Sequence, residues 1–223
     1  LMKKADYLLE KTISKKKNKN KYFITSLVPT QIFKLLSKKK GVQWMQLFDL
    51  IWVGGAAIND EISKKCIEHK INLSPCYGMT ETSAMISSLK PSEFLKGFKN
   101  SGEILKDTNI KINEKGIIEI KTKRTGIELL NSYKLKSFKN NNGWFKSGDL
   151  GKIIMINDTQ YLEVIGRSDN AFISGGETVF PDVIYLKIEK FIMKEEIPIF
   201  NFKISIIQDK EWGERFEIIL NFK

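Results

Sequence analysis

Leu47 to Val53 is an apolar run broken only by Asp49, and it stops at Gly54-Gly55. A strand this apolar has to be covered on both faces, as the strands of parallel sheets are. The neighbouring sequence supplies the cover. Tyr22–Leu27 reads as a strand, and Pro29 opens a helix where its missing N–H costs nothing, with Ile32, Phe33, Leu35 and Leu36 expected to face inward. Asn59 is a good N-cap, and Asp60 and Glu61 suit the positive end of a helix running to about His69. Ile71–Tyr77 reads as the next strand, and residues 4–16 as a helix with Leu8, Leu9 and Ile13 on one face. The first 90 residues therefore read as α/β, a parallel sheet with helices.

The texture changes after Pro91. Short strands are expected at Ile110–Ile112, Ile117–Ile120, Gly151–Ile156 and Tyr161–Ile165, separated by Gly- and Asn-rich turns, which describes a small antiparallel β region. A third texture starts near Arg167: a Gly175-Gly176 turn, a helix from Pro181 to about Lys194, and strands Phe200–Gln208 and Phe216–Phe222. The expected boundary is Gly166–Asn170, short enough to act as a hinge.

Composition narrows the function. The 223 residues suffice for one large or two ordinary domains, and 42% hydrophobic residues exclude a disordered chain. The net charge of +11 invites a nucleic-acid reading, yet it comes from 34 Lys and only 3 Arg (Arg124, Arg167, Arg215). Base-edge readers favour the guanidinium fork, so the expectation is a solvated surface and no nucleic-acid partner. The runs Lys15–Lys21 and Lys38–Lys40 are expected at helix C-termini. Two cysteines, Cys66 and Cys76, fit a reducing compartment, and the single His69 leaves no ordinary zinc site and no Ser–His–Asp triad elsewhere. No apolar run is long enough to span a membrane and no signal peptide is visible, so a cytoplasmic location is expected.

Four constellations carry chemistry. Gly54-Gly55-Ala56 follows a buried strand, where open parallel sheets bind ligands and glycine lets a flat ring lie against the backbone; a helix-entry turn is the plainer alternative. Tyr77-Gly78-Met79-Thr80-Glu81-Thr82-Ser83-Ala84 offers a stacking face, a close backbone approach, a hydroxyl for an anionic oxygen and a hard oxygen ligand for Mg²⁺. In Gly143-Trp144-Phe145-Lys146-Ser147-Gly148-Asp149-Leu150-Gly151 the aromatic pair is expected to pack a turn, and Asp149 could accept from both ribose hydroxyls. In Gly166–Glu177, Arg167 is a fork suited to phosphate or ribose oxygens.

In order and spacing these segments (YGMTETSA, GWFKSGDLG, GRSDNAFISGGE, then DKEWGE at Asp209–Glu214) resemble the adenylate-forming superfamily of acyl-CoA synthetases, adenylation domains and luciferases. The SGGE variant, with GMTETSA and GGAAI, is most similar to the branch acting on o-succinylbenzoate in menaquinone and phylloquinone biosynthesis. The resemblance implies that residues 1–166 are the C-terminal part of a large AMP-binding domain, 167–170 a hinge, and 171–223 the start of a small α+β domain. It implies that Gly54, Gly55 and Ala56 line the adenine and acyl pocket. Tyr77, with Gly78 and Met79, would hold adenine, Thr80 would contact the α-phosphate, and Glu81 would help to hold Mg²⁺. Asp149 would bind the ribose with Arg167 beside it, Asp169 would be the hinge, and Gly175-Gly176 would face the CoA tunnel.

The implied substrates are ATP, CoA and a carboxylic acid; a homo-oligomer is an open alternative for partners. Two family segments have no match: the phosphate loop expected upstream of residue 1 and the adenylate-forming lysine expected beyond Lys223. With Leu1 in place of an initiator Met, the expectation is an internal or truncated fragment, unable by itself to catalyse pyrophosphate exchange at a useful rate. A fatty acyl ligase and a non-catalytic nucleotide-binding remnant are the competing readings.

Overall fold

The computed structural model describes residues 22–131, 134–195 and 197–222; the expected helix over 4–16 and the run Lys15–Lys21 lie outside the described residues. The chain divides into two compact units. The first holds residues up to Lys111 with Ile120–Phe145 and Ile153–Glu163, and the second holds Ile112–Glu119, Lys146–Lys152 and Val164–Lys223.

The first unit begins with three parallel strands, β1 (Ile24–Leu27), β2 (Leu50–Val53) and β3 (Leu73–Met79), in the register Leu27↔Val53 and Val53↔Pro75. Antiparallel neighbours β4 (Ala84–Ser88) and β5 (Glu103–Ile104) follow. Further along the chain lie β6 (Thr108–Ile112), β7 (Ile117–Thr122), β8 (Glu128–Asn131), β9 (Lys134–Ser137), β10 (Phe145–Ile156) and β11 (Thr159–Arg167), with Tyr161 of β11 pairing antiparallel to Glu103 of β5. The fold is α/β as read from the sequence, its parallel strands giving way to antiparallel ones.

Helices Pro29–Leu36, Lys39–Met45 and Asp60–Glu68 cover the parallel strands. Their Ile32, Met45, Ile62 and Cys66 join Ile51, Val53, Ile71 and Leu73 in one core, and each large apolar side chain buried there is worth about 1.5–3 kcal/mol. Asn59 caps the third helix as expected, its Oδ1 accepting from Ile62 N–H at 2.8 Å. The apolar run behaves differently at its start: Gln46 and Leu47 form a turn after the second helix, and the strand begins only at Leu50.

Two expectations are corrected here. Phe33 is 57% exposed, because Ile32, Leu35 and Leu36 share the inward stripe of their helix and Phe33 lies about 100° round from Ile32. Lys38–Lys40 do not close a helix. Lys38 is the N-cap of Lys39–Met45, so Lys39 and Lys40 stand exposed at that helix's positive end.

The second unit carries a four-stranded antiparallel sheet of β12 (Phe172–Ser174), β13 (Glu177–Val179), β14 (Ile199–Asp209) and β15 (Gly213–Phe222), in the order β13-β12-β15-β14. Helix Pro181–Lys194 spans the expected residues, and its Tyr185 stacks on Phe202 of β14 at 4.4 Å between ring centroids. Among the described residues no helix is long and apolar enough to cross a membrane.

Candidate functional site

Because β2 and β3 are parallel neighbours, their C-terminal ends fall at one edge of the sheet. That edge carries Gly54-Gly55-Ala56 after β2 and Tyr77-Gly78-Met79 at the end of β3. The Cys76 thiol lies 3.4 Å from the Val53 carbonyl and close under Gly54, where an added Cβ would come within 3.3 Å of the sulfur. Gly55 has φ +83°, a conformation that favours glycine. The backbone here is thin, as the docking of a flat ring requires. Tyr77 is half-buried beside it.

Gly78 has a reason to be glycine that the sequence did not reveal. The register of β3 against β4 shifts between Tyr77 and Gly78, and a Cβ on Gly78 would lie 2.3 Å from the Ala84 carbonyl oxygen and 2.4 Å from the Met85 Cα. Its smallness serves the strand crossing.

After Met79 the chain makes one 3₁₀ turn, Thr80–Thr82, and Ser83 takes the left-handed conformation at φ +59°. Thr82, fully buried, sets this turn: its hydroxyl lies 2.8 Å from the Ala84 carbonyl and 3.0 Å from the Met79 carbonyl, and accepts from Met79 N–H. Thr80 stays exposed and Glu81 half-buried, so a hydroxyl and a carboxylate stand on the outer side of a pinned turn. Among the described residues no three His, Cys, Asp or Glu side chains cluster as a metal site. A single carboxylate such as Glu81 can complete the shell of a Mg²⁺ ion that arrives on phosphates, the usual mode for this metal.

The remaining predicted residues belong to the second unit. The aromatic pair of GWFKSGDLG was expected to pack a turn, and Gly143 N–H does close one on the Asn140 carbonyl (2.9 Å); the strand expected from Gly151, however, already begins at Phe145, as the 12-residue β10. Phe145, Ser147 and Asp149 alternate on its buried side, and Gly148, at φ +81°, supplies the local irregularity that the Gly-rich sequence suggested. The Ser147 hydroxyl donates to the Ile118 carbonyl (2.9 Å) and accepts from Asp149 N–H (3.0 Å). Arg167 Nη1 donates to Asp149 Oδ1 at 3.2 Å, its Nε to Asp169 Oδ1 at 2.9 Å, and Nη2 to the other Asp169 oxygen. Ser168 closes the loop onto the Gly148 carbonyl through both its N–H (2.8 Å) and its hydroxyl (2.7 Å). The predicted ribose ligand, its arginine and the predicted hinge residue thus form one ion-paired cluster.

The Arg167 guanidinium holds the Asp169 carboxyl below its usual range, and the two carboxylates raise the guanidinium in turn. A depressed folded-state pKa gives stability that is present above the unfolded value of about 4 and is lost as pH falls through the folded value. Acid titration followed by circular dichroism is therefore expected to lose structure below about pH 4, and Asp169→Asn should flatten that limb.

Gly175-Gly176 forms the turn between β12 and β13, and the DKEWGE segment forms the tip of the β14–β15 hairpin. The two touch: Gly175 N–H donates to the Trp212 carbonyl at 2.9 Å, and a Cβ on Gly175 would meet the indole at 2.5 Å. Asp209 accepts from the N–H groups of Glu211 and Trp212 and pairs with Arg215 Nε (2.9 Å), which keeps its carboxyl below the usual range.

No family model matches the chain. Curated relatives do. The 2-succinylbenzoate–CoA ligase of Listeria monocytogenes is 28% identical over 189 residues, covering 85% of this chain and 39% of its own length. The enzyme of that name from Enterococcus faecalis is 32% identical over 168 residues, covering 71% and 34%. Among solved structures, wild-type Escherichia coli MenE with a bound analogue of OSB-AMS superposes with a TM-score of 0.70 at 25% identity, over 90% of this chain and 41% of that one.

The chain is similar to part of these 2-succinylbenzoate–CoA ligases. It spans about 40% of the length of the curated ligases it matches. The fold likeness extends to an ATP-bound chimera, RpMatB-BxBclM, with a TM-score of 0.71 at 20% identity. Within the chain's own geometry, the residues predicted from the sequence fall into two sets: Gly54, Tyr77, Thr80 and Glu81 on the first unit, and Asp149, Arg167, Asp169 and Gly175 on the second.

Proposed function

We propose that this chain forms part of an ATP-dependent o-succinylbenzoate–CoA ligase, an enzyme that makes an acyl-adenylate and then an acyl-CoA. One observation carries the reading: the shared edge of β2 and β3 presents a thin glycine backbone beside a pinned turn bearing Thr80 and Glu81. Ligands of open parallel sheets bind at that kind of edge. The related Bacillus subtilis enzyme has been solved with ATP and a magnesium ion, and also with OSB-AMP.

In the first step an acid carboxylate attacks the α-phosphorus, forming the acyl–phosphate bond and expelling pyrophosphate. In the second the CoA thiol attacks the acyl carbon and AMP leaves. Mg²⁺, when bound, neutralises phosphate charge. Thr80 would donate a hydrogen bond to the α-phosphate, where charge builds on oxygen, and Glu81 would help to hold the metal. Tyr77 stacks on adenine with Gly78 and Met79 alongside, while Gly54, Gly55 and Ala56 form the floor. Asp149 accepts from the ribose hydroxyls, with Arg167 beside it. Residues 167–170 act as the hinge at Asp169 between a large-domain part (1–166) and a small-domain part (171–223), and Gly175-Gly176 face CoA. A cytoplasmic location and small-molecule partners accord with this chemistry, and self-association is compatible with it.

Calorimetric titration with two non-hydrolysable acyl-adenylate analogues tests the assignment. The succinylbenzoyl analogue is expected to bind at least about tenfold tighter than the dodecanoyl one, a difference of about 1.4 kcal/mol. A reversed order would assign the chain to a fatty acyl ligase, and failure of both to bind would end the nucleotide reading.

A further inference from the structure

Arg124 was visible in the sequence only as one of three arginines, and the segment around it lies in none of the four motifs. The structure gives it a task. Its Nη1 donates to the backbone carbonyls of Thr82 (3.3 Å), the last residue of the 3₁₀ turn, and of Met85 (3.0 Å) in β4 just beyond it. Its other edge is held by Asp107, through Nε (2.7 Å) and Nη2 (3.2 Å), with Thr108 Oγ1 also accepting from Nη2 (3.3 Å). The turn is tied to the same segment twice more: the Ser83 hydroxyl donates to the Arg124 carbonyl (2.8 Å), and Gly126 N–H donates to the Glu81 carbonyl (2.8 Å). Glu81, Thr82 and Ser83 are thus each bonded to residues about 40 positions away in sequence, and Ser83 sits in the left-handed region that a serine seldom adopts.

We infer that Arg124 is a positioning residue for the proposed reaction: oriented by Asp107, its guanidinium clamps the Thr80–Ser83 turn and so fixes where Glu81 meets the Mg²⁺ of MgATP. The clamp needs a planar fork. One ammonium cannot reach two carbonyls on one side and a carboxylate on the other in fixed geometry, which accounts for an arginine here among 34 lysines. Asp107 is held below the usual carboxylate range by this contact. The inference rests on the reading of Glu81 as the group that holds the metal.

The test is MgATP binding to the protein as a function of Mg²⁺, with adenosine binding and melting temperature measured beside it. Arg124→Lys and, as a second variant, Asp107→Asn are each expected to raise the half-saturating Mg²⁺ by about tenfold, within the range seen when residues supporting a metal ligand are changed. Adenosine affinity should stay within about twofold, since it makes no use of Glu81. In an E81Q background the effect of Arg124→Lys should vanish, because the clamp would no longer act through that carboxylate. If E81Q raises the Mg²⁺ requirement while neither Arg124→Lys nor Asp107→Asn does, the clamp is refuted and the site stands. If E81Q itself changes nothing, the metal role of Glu81 falls and the clamp falls with it. A loss of adenosine binding equal to the loss of MgATP binding would also refute the clamp, as it would mark Arg124 as merely structural.

Discussion

Gly78→Ala is expected to cost the protein at least about a hundredfold in nucleotide affinity, comparable to misplacing an active-site group by about 1 Å. The new methyl group would overlap the Ala84 carbonyl oxygen at 2.3 Å and the Met85 Cα at 2.4 Å, and neither is the end of a flexible side chain. The backbone of β3 or β4 must move, and Tyr77 and Thr80 flank the point of movement. Gly97→Ala is the control. Gly97, unlike Gly78, has positive φ (+90°), but nothing lies within 4 Å of an added Cβ, so it should show only the local backbone cost of about 1–2 kcal/mol. Titration with ATP, paired with thermal melts, separates the two. Equal affinities for Gly78→Ala and Gly97→Ala would mean that the strand crossing does not shape the site.

Asp149→Ala is expected to abolish discrimination between ATP and 2′-deoxy-ATP. In the unaltered protein a charged acceptor to the ribose hydroxyl is worth about 1.5–3 kcal/mol, or roughly ten- to a hundredfold in affinity. The carboxylate is well placed for selectivity because its side chain is only 10% exposed and already oriented by Arg167. Competition binding with the two nucleotides measures the ratio directly. If the variant still prefers ATP by the original factor, another residue reads the sugar.

Much of the site was legible because its local chemistry is local in sequence. The strand ending at Gly54-Gly55, the Asn59 cap and the helix from Pro181 to Lys194 each follow from residues within a few positions of one another. The Thr80–Glu81 turn was also visible as a motif. What fixes it was not, since Arg124 reaches backbone carbonyls some 40 residues away, and a bond to a carbonyl leaves no mark in the identity of the accepting residue. The strand expected from Gly151 starts at Phe145, because one glycine at positive φ, Gly148, puts an irregularity into the strand without ending it. Lys38–Lys40 were misplaced because a second short helix follows the first after one connecting turn and resets which residues are ends, and Phe33 because it lies off the inward stripe of its own helix.

Trp212 is the one tryptophan of the second unit, and it rests on the backbone of the Gly175-Gly176 turn. With Trp44, Trp52 and Trp144 replaced by phenylalanine, the emission of this half-exposed indole would register any lifting of the turn from the hairpin tip. The molecule thus carries its own optical gauge at the place where a thiol substrate would be expected to arrive.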